Sequence, residues 1–194
     1  MPQPHQICAV ILAGGRGTRM GGTDKALLPL GDSRMIDHVA TRIGRQVARV
    51  AINAGGNAAR FAPLDLPVLP DTLPDFPGPL AGVLAGMEWG AGIRASHVIS
   101  VAVDTPYFPD DLAARLAAGG FAIARSADDG RVHPTFGCWP VALRDDLRAA
   151  LRRGERKMGR WAMEEGASVV DFPQAAAFHN INRPEDLSSL SPGG

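Results

Sequence analysis

The amino-acid sequence predicts an α/β fold: a mostly parallel twisted sheet with helices on both faces. Three observations carry this expectation. Short Val- and Ile-rich runs do not alternate strictly with polar residues, the segments between them place apolar residues at helical spacing, and the two kinds succeed one another regularly along the first 119 residues. A strand covered on both faces has no polar side, so it reads as a nearly continuous apolar run. Parallel neighbours need a crossover long enough to return the chain, and a helix supplies it.

The elements follow in order. "ICAVILA" (7–13) is the first strand, and "MIDHVATRIGRQV" (35–47) the first helix. "RVAINA" (49–54), "PVLPD" (67–71) and "HVISVAVD" (97–104) are further strands. "GPLAGVLAGMEWG" (78–90) is helical by spacing, and "PDDLAARLAAG" (109–119) opens with Pro and acids and stops at glycine, the usual start and stop signals. Beyond residue 120, "FAIARS", "VHPTFGCW" and "ASVVDF" read as strands, "LRDDLRAALRRG" and "MGRWAMEEG" as helices, and "SPGG" as a frayed end. No repeat or long linker divides the 194 residues, of which 45% are hydrophobic, so a single domain spanning 1–194 is expected.

Composition narrows the function. Lys+Arg 20 against Asp+Glu 20 leaves no net field to attract nucleic acid or an anionic membrane, so any phosphate recognition has to be local. Cys8 and Cys138 sit in apolar runs without CxxC spacing and read as small core residues. The sequence shows no basic leader followed by an apolar stretch, and no apolar run of about 18 residues, so a cytoplasmic location is expected.

One loop has unusual composition. "LAGGRGTRMGGTDK" (12–25) follows the first strand with Gly14, Gly15, Gly17, Gly21 and Gly22 and the cations Arg16, Arg19 and Lys25. A dinucleotide fingerprint fails because Met20 stands where its third glycine belongs, and a Walker A loop fails because Lys25 lies between Asp24 and Ala26. What remains is a strand followed by bare backbone whose N–H groups can form an anion nest, with cations beside it. Glycine at Gly15 would let the backbone approach a phosphate closely. As isolated loop residues the same cations would simply face water. In open α/β sheets ligands bind beyond the carboxyl ends of the strands, and the polar residues fall there: Gly14 and Gly15, Asn53, Asp71 and Asp104. Each alone also reads as turn chemistry.

The pattern LAGG-x3-RMGG-x-DK resembles the nucleotidyltransferase superfamily, and within it the molybdenum cofactor guanylyltransferases. "PDTLPDFPGPLAG", "VAVDTP", "VHPTFGCW", "GERKMGRW" and "HNINRPEDL" are similar to later motifs of that family, in the same order. Val103 departs from the small residue that usually precedes the family's DTP aspartate.

The resemblance implies a Rossmann-like mononucleotide-binding fold. It also implies transfer of GMP from GTP to the phosphate of molybdopterin, with release of pyrophosphate. Leu12, Ala13, Gly14, Lys25, Asn53, Asp71 and Asp104 would hold the nucleotide, Asp104 would carry Mg²⁺, and Arg19 and Lys25 would neutralise phosphate charge. Asn180 and Asn182 would face the acceptor, with His133, Arg156 and Lys157 as further candidates. Arg156 with Lys157 reads equally well as an exposed charge run, and Asn182 before "RPEDL" as helix-start chemistry. The nucleotide half would span about residues 1–110 and the acceptor half about 111–190. GTP and molybdopterin are the implied partners, with molybdenum-insertion proteins and apo-molybdoenzyme chaperones as protein partners. The alternative is the same chemistry with CTP, or with a sugar or polyol phosphate as acceptor. A non-catalytic nucleotide-binding protein would not need the metal carboxylate.

Overall fold

Strand β1 (Ile7–Leu12) is buried at every position, as its unbroken apolar run requires. The computed structural model describes residues 6–14, 24–73 and 78–181. After β1 come a 3-10 turn (Lys25–Leu27) and an antiparallel ribbon of β2 (Pro29–Leu30) and β3 (Ser33–Arg34). Helix α1 (Met35–Gly44), β4 (Arg49–Asn53), β5 (Val68–Leu69), α2 (Pro79–Gly92) and β6 (His97–Ala102) follow. The chain continues through α3 (Leu112–Ala118), β7 (Ala122–Ser126), β8 (Val132–Pro140), α4 (Arg144–Arg152), α5 (Met158–Glu164) and β9 (Ser168–Phe172).

Seven strands form one sheet in the order β5-β4-β1-β6-β8-β7-β9. Its pairings are parallel except those of β8, which runs antiparallel to both β6 and β7. The α/β class and the mostly parallel sheet are as expected. The reversal of β8 has a local cause: only residues 127–131 separate β7 from β8, too few for a crossover. Gly130, at φ 70°, makes the turn. Strand β5 is shorter than the expected 67–71 because Pro67 and Pro70 bracket it and have no N–H to donate. Helix α1 stops at Gly44 rather than residue 47, and α3 begins at Leu112 rather than 109.

The alternation along β1 distributes two cores. Ile7, Ala9 and Ile11 join Ile36, Val39, Ile43, Leu112 and Leu116 from α1 and α3. Cys8, Val10 and Leu12 join Leu84, Met87, Leu151 and Trp161 from α2, α4 and α5. Helices therefore cover both faces. Cys8 and Cys138 are free and buried, and burial pushes both thiols up to about 12. Among the described residues no helix is long and apolar enough to cross a membrane.

Gly82, Gly86 and Gly90 occupy successive turns of the α2 face that meets the sheet. A methyl group at Gly86 would stand 2.8 Å from Val10 Cγ1, and one at Gly90 3.1 Å from Val98 Cγ2. Gly86→Ala should therefore destabilise the fold despite the better helix propensity of alanine, by about 1–3 kcal/mol. Thermal unfolding checks this: a Tm several degrees below wild type is expected, and an unchanged or higher Tm would show that α2 can back away at no cost.

Candidate active site

The carboxyl ends of β1, β4, β5 and β6 are tied together by main-chain bonds. The Ala13 N–H donates to the Asn53 carbonyl at 2.9 Å, the Val103 N–H to the Leu12 carbonyl at 3.2 Å, and the Ala54 N–H to the Leu69 carbonyl at 3.1 Å. These bonds continue the sheet just past its strands, so Gly14, Asn53, Asp71 and Asp104 share one edge. The strand ends singled out in the sequence do converge.

Asn53 closes β4 with a side chain only 3% exposed. Its Nδ2 donates to the Leu69 carbonyl at 3.1 Å and to Asp71 Oδ1 at 2.9 Å. Both partners accept, which fixes the orientation of the amide. Its Oδ1 is turned toward α2, where a Cβ at Gly82 would stand only 2.3 Å from it and 2.8 Å from Leu12 Cδ2. The glycine thus makes room for both Leu12 and Asn53. A Cβ at Gly14 would stand 3.5 Å from Asn53 Oδ1, an ordinary contact.

Asp104 lies two residues past β6 and is half-buried. Burial pushes its carboxyl above the ordinary range, while the nearby Lys25 ammonium pulls it back. The Thr105 hydroxyl stands 3.4 Å from Asp104 Oδ1 but 2.8 Å from Asn180 Oδ1. A hydroxyl has one proton to donate, and the shorter bond takes it. The Ile181 N–H donates to the Asp104 carbonyl at 2.7 Å. These two contacts bring Asn180, from the far end of the chain, beside Asp104.

Lys25 opens the 3-10 turn. Asp24 caps that turn by accepting from the Ala26 N–H at 3.0 Å, and Ala26 is fully buried in the core under α1. The same Asp24 meets Arg60 Nε at 2.7 Å. Neither Asp24, Arg60, Thr105 nor Gly82 was singled out from the sequence. Aspartate before a short turn is a capping signal that was available there, whereas nothing local marks Arg60.

His133 is turned inward. Its Nε2 lies 2.9 Å from Ser126 Oγ, and its ring stacks on Phe178 at 4.4 Å between centroids. It therefore supports the 3-10 turn Ala175–Phe178, which leads directly to Asn180. In "GERKMGRW", the Arg156 guanidinium donates back to the Leu151 and Glu155 carbonyls. The Lys157 amide, followed by the Arg160 guanidinium, holds the Glu155 carboxyl at about 2. Lys157 is exposed. Gly15, Arg16, Arg19, Asn182 and the "SPGG" end lie outside the described residues.

One edge of an α/β sheet thus carries two carboxylates and a buried amide, with an ammonium near one of the carboxylates, and the chain is of the nucleotidyltransferase class. Residues 9–168 match the family described as "MobA-like NTP transferase domain", and the chain belongs to that family. A relative from Cereibacter sphaeroides, named molybdenum cofactor guanylyltransferase, is 50% identical over 184 residues, covering 94% of each chain. Solved structures share the fold. One is the molybdopterin-guanine dinucleotide biosynthesis protein A of Archaeoglobus fulgidus, with TM-score 0.68, 21% identity and coverage of 94% of this chain and 96% of that one. Another is a Mycobacterium tuberculosis H37Rv protein solved as a manganese complex, with TM-score 0.62, 19% identity and coverage of 95% and 97%.

The inward placement of His133 has a pH consequence. Burial, and then the Arg131 charge, push its pKa below the ordinary value, with Asp129 opposing; burial also lowers that of His97. A base whose folded pKa is depressed takes up more protons when unfolded. Its contribution to stability is therefore present above about pH 6.5 and is lost as pH falls through the folded value. His133→Phe keeps a ring on Phe178 but cannot titrate, so it should show a smaller fall in Tm between pH 7.5 and 5.5 than wild type, the values being about one unit either side of an unperturbed histidine. An equal fall in both would assign the acid sensitivity elsewhere.

Proposed function

We propose that this chain transfers the GMP of GTP to the terminal phosphate of molybdopterin, giving the guanine dinucleotide and pyrophosphate. The observation that carries this reading is the placement of Lys25 within electrostatic reach of a half-buried Asp104, at the strand edge that also presents Asn53 and Asp71. In this reaction a phosphate oxygen attacks the α-phosphorus, a new P–O bond forms, and the bond to pyrophosphate breaks with its electron pair leaving on that group. No protein nucleophile is needed, and the two cysteines are buried in the core. The chain contributes position and charge.

Lys25 would neutralise charge on the triphosphate, and Arg19 is expected to do the same from the glycine loop. The main chain at Leu12, Ala13, Gly14 and Gly15 would approach the nucleotide closely. The Asp71 carboxylate would accept from guanine N–H groups or ribose hydroxyls, with Asn53 holding it in place through Oδ1. Asp104 fits a divalent cation: it is a hard oxygen donor whose ionised form is penalised by burial and only partly compensated by Lys25. A single carboxylate is enough, because Mg²⁺ takes one or two carboxylates and completes its shell with water and substrate phosphate. When bound, the ion would supply charge neutralisation and hold the phosphates in line. The relative solved with manganese supports a divalent metal.

Asn180 and Asn182 would face the molybdopterin in an acceptor half spanning about residues 111–190, beside a nucleotide half of about 1–110. His133 supports that half from beneath through Phe178.

A thermal-shift panel of GTP, CTP, ATP and UTP with Mg²⁺ tests nucleotide choice. GTP at about 100 times its Kd should stabilise by about 2.7 kcal/mol; a shift with CTP and none with GTP would reassign the donor. Asp104→Asn keeps volume and removes the charge, so it should fold with near-native Tm and lose at least about 100-fold in turnover, on the order of one lost transition-state electrostatic contact. Turnover close to wild type would remove Asp104 from the site.

A further inference from the structure

Lys25 has a second layer of support that the sequence does not announce. The turn that carries it begins at Asp24, and Asp24 is held by Arg60, which lies in the 3-10 segment (Ala58–Leu64) after β4. Arg60 Nε meets Asp24 Oδ2 at 2.7 Å. Its Nη2 donates to the Gly55 carbonyl at 2.8 Å and its Nη1 to the Asn57 carbonyl at 2.5 Å. The guanidinium lies over the Phe61 ring at 4.4 Å, and Phe61 is itself 1% exposed. The Arg60 carbonyl accepts from Arg34 Nη1 at 3.2 Å, and Arg34 is fixed by a two-pronged pair with Asp37. One planar group thus joins the end of the glycine-rich loop to the chain leaving Asn53. Both ends of the pair are largely shielded, with side-chain exposures of 23% and 19%.

We propose that Arg60 is a positioning residue for the nucleotide site. By holding Asp24 to the Gly55–Asn57 loop, it fixes the turn that aims Lys25 at the triphosphate and at Asp104. The proposal rests on the functional reading above, since it needs a triphosphate for Lys25 to meet. An arginine suits the task better than a lysine, because its fork engages a carboxylate and two carbonyls at once and its flat face packs on a ring. Lysine at the same position could keep the charge and one contact but not the geometry.

Calorimetric titration of the full chain with Mg²⁺·GTP, alongside Tm, tests this with Arg60→Met, Arg60→Lys, Lys25→Ala and the double variant Arg60→Met/Lys25→Ala. Arg60→Met should weaken GTP binding about tenfold, the scale of one charge-assisted contact, and Arg60→Lys should fall between it and wild type. In the double variant the Arg60 change should add less than about twofold to the Lys25→Ala loss, because coupled residues are not additive. A purely structural arginine would lower Tm and leave this coupling absent. Asp24→Asn gives an independent check should Arg60→Met fold poorly: asparagine still caps the turn but loses the ion pair, and it should reproduce the Arg60→Met loss. The proposal is overturned if GTP affinity survives both Arg60→Met and Asp24→Asn, or if the Arg60 and Lys25 losses multiply. Those results, with Lys25→Ala still impaired, would leave the functional reading intact. Wild-type chain that binds no GTP, or Lys25→Ala that binds it normally, would overturn that reading and the strut together.

Discussion

Asn53 ends β4 with a buried amide, and three other elements take their positions from it. Its carbonyl receives the Ala13 N–H at the exit of β1, and its Nδ2 bridges the end of β5 to Asp71. Its Oδ1 occupies the space that Gly82 leaves beside α2. A buried polar group without partners costs about 1–3 kcal/mol, so such a side chain is tolerated only where its surroundings are built for it. Here those surroundings are the floor of the crevice. The glycines of α2 follow from the same constraint, because a Cβ at Gly82 would collide with Asn53 and Leu12 and one at Gly86 with Val10.

Charge is distributed above this floor with little to spare. Asp104 is placed where burial disfavours its ionised form, and Lys25 is the cation that opposes that effect. The Thr105 hydroxyl, fully buried, gives its proton to Asn180 rather than to Asp104. A backbone N–H and the Lys25 charge favour the ionised form, yet burial outweighs them. The Asn180 contact and the Ile181 N–H bond to the Asp104 carbonyl also make the last described residues part of the same edge.

The sheet was largely legible in the sequence because a strand buried on both faces carries its own signature, and β1, β4 and β6 have it. The apolar run of β8 does not announce its direction, although Asp129-Gly130 between two apolar runs is a hairpin signal. That Gly14, Asn53, Asp71 and Asp104 fall on one edge was legible because strand ends in this architecture face one crevice, Lys25 stands out only through the loop composition, and the motif order pointed to the family. What the pattern could not convey was which way side chains turn. His133 is an acceptor candidate by its place in "RVHP", yet its ring stacks on Phe178 and its Nε2 meets Ser126 Oγ. Nothing local marks Arg60 among the twenty Lys and Arg residues, yet it bridges two loops through contacts 36 residues apart in sequence. Long-range partners such as these exist only once the chain has folded.

Asn53→Asp tests the central claim most directly. The variant is isosteric, but it removes the donor to Leu69 and Asp71 and sets a second carboxylate against Asp71, where the present N···O distance is 2.9 Å. Titration with Mg²⁺·GTP should show affinity reduced by at least about tenfold, accompanied by a lower Tm, since like charges at contact distance cannot both be held cheaply. GTP affinity equal to wild type in a folded Asn53→Asp chain would contradict the account, because it would mean that the crevice does not depend on the amide at its floor.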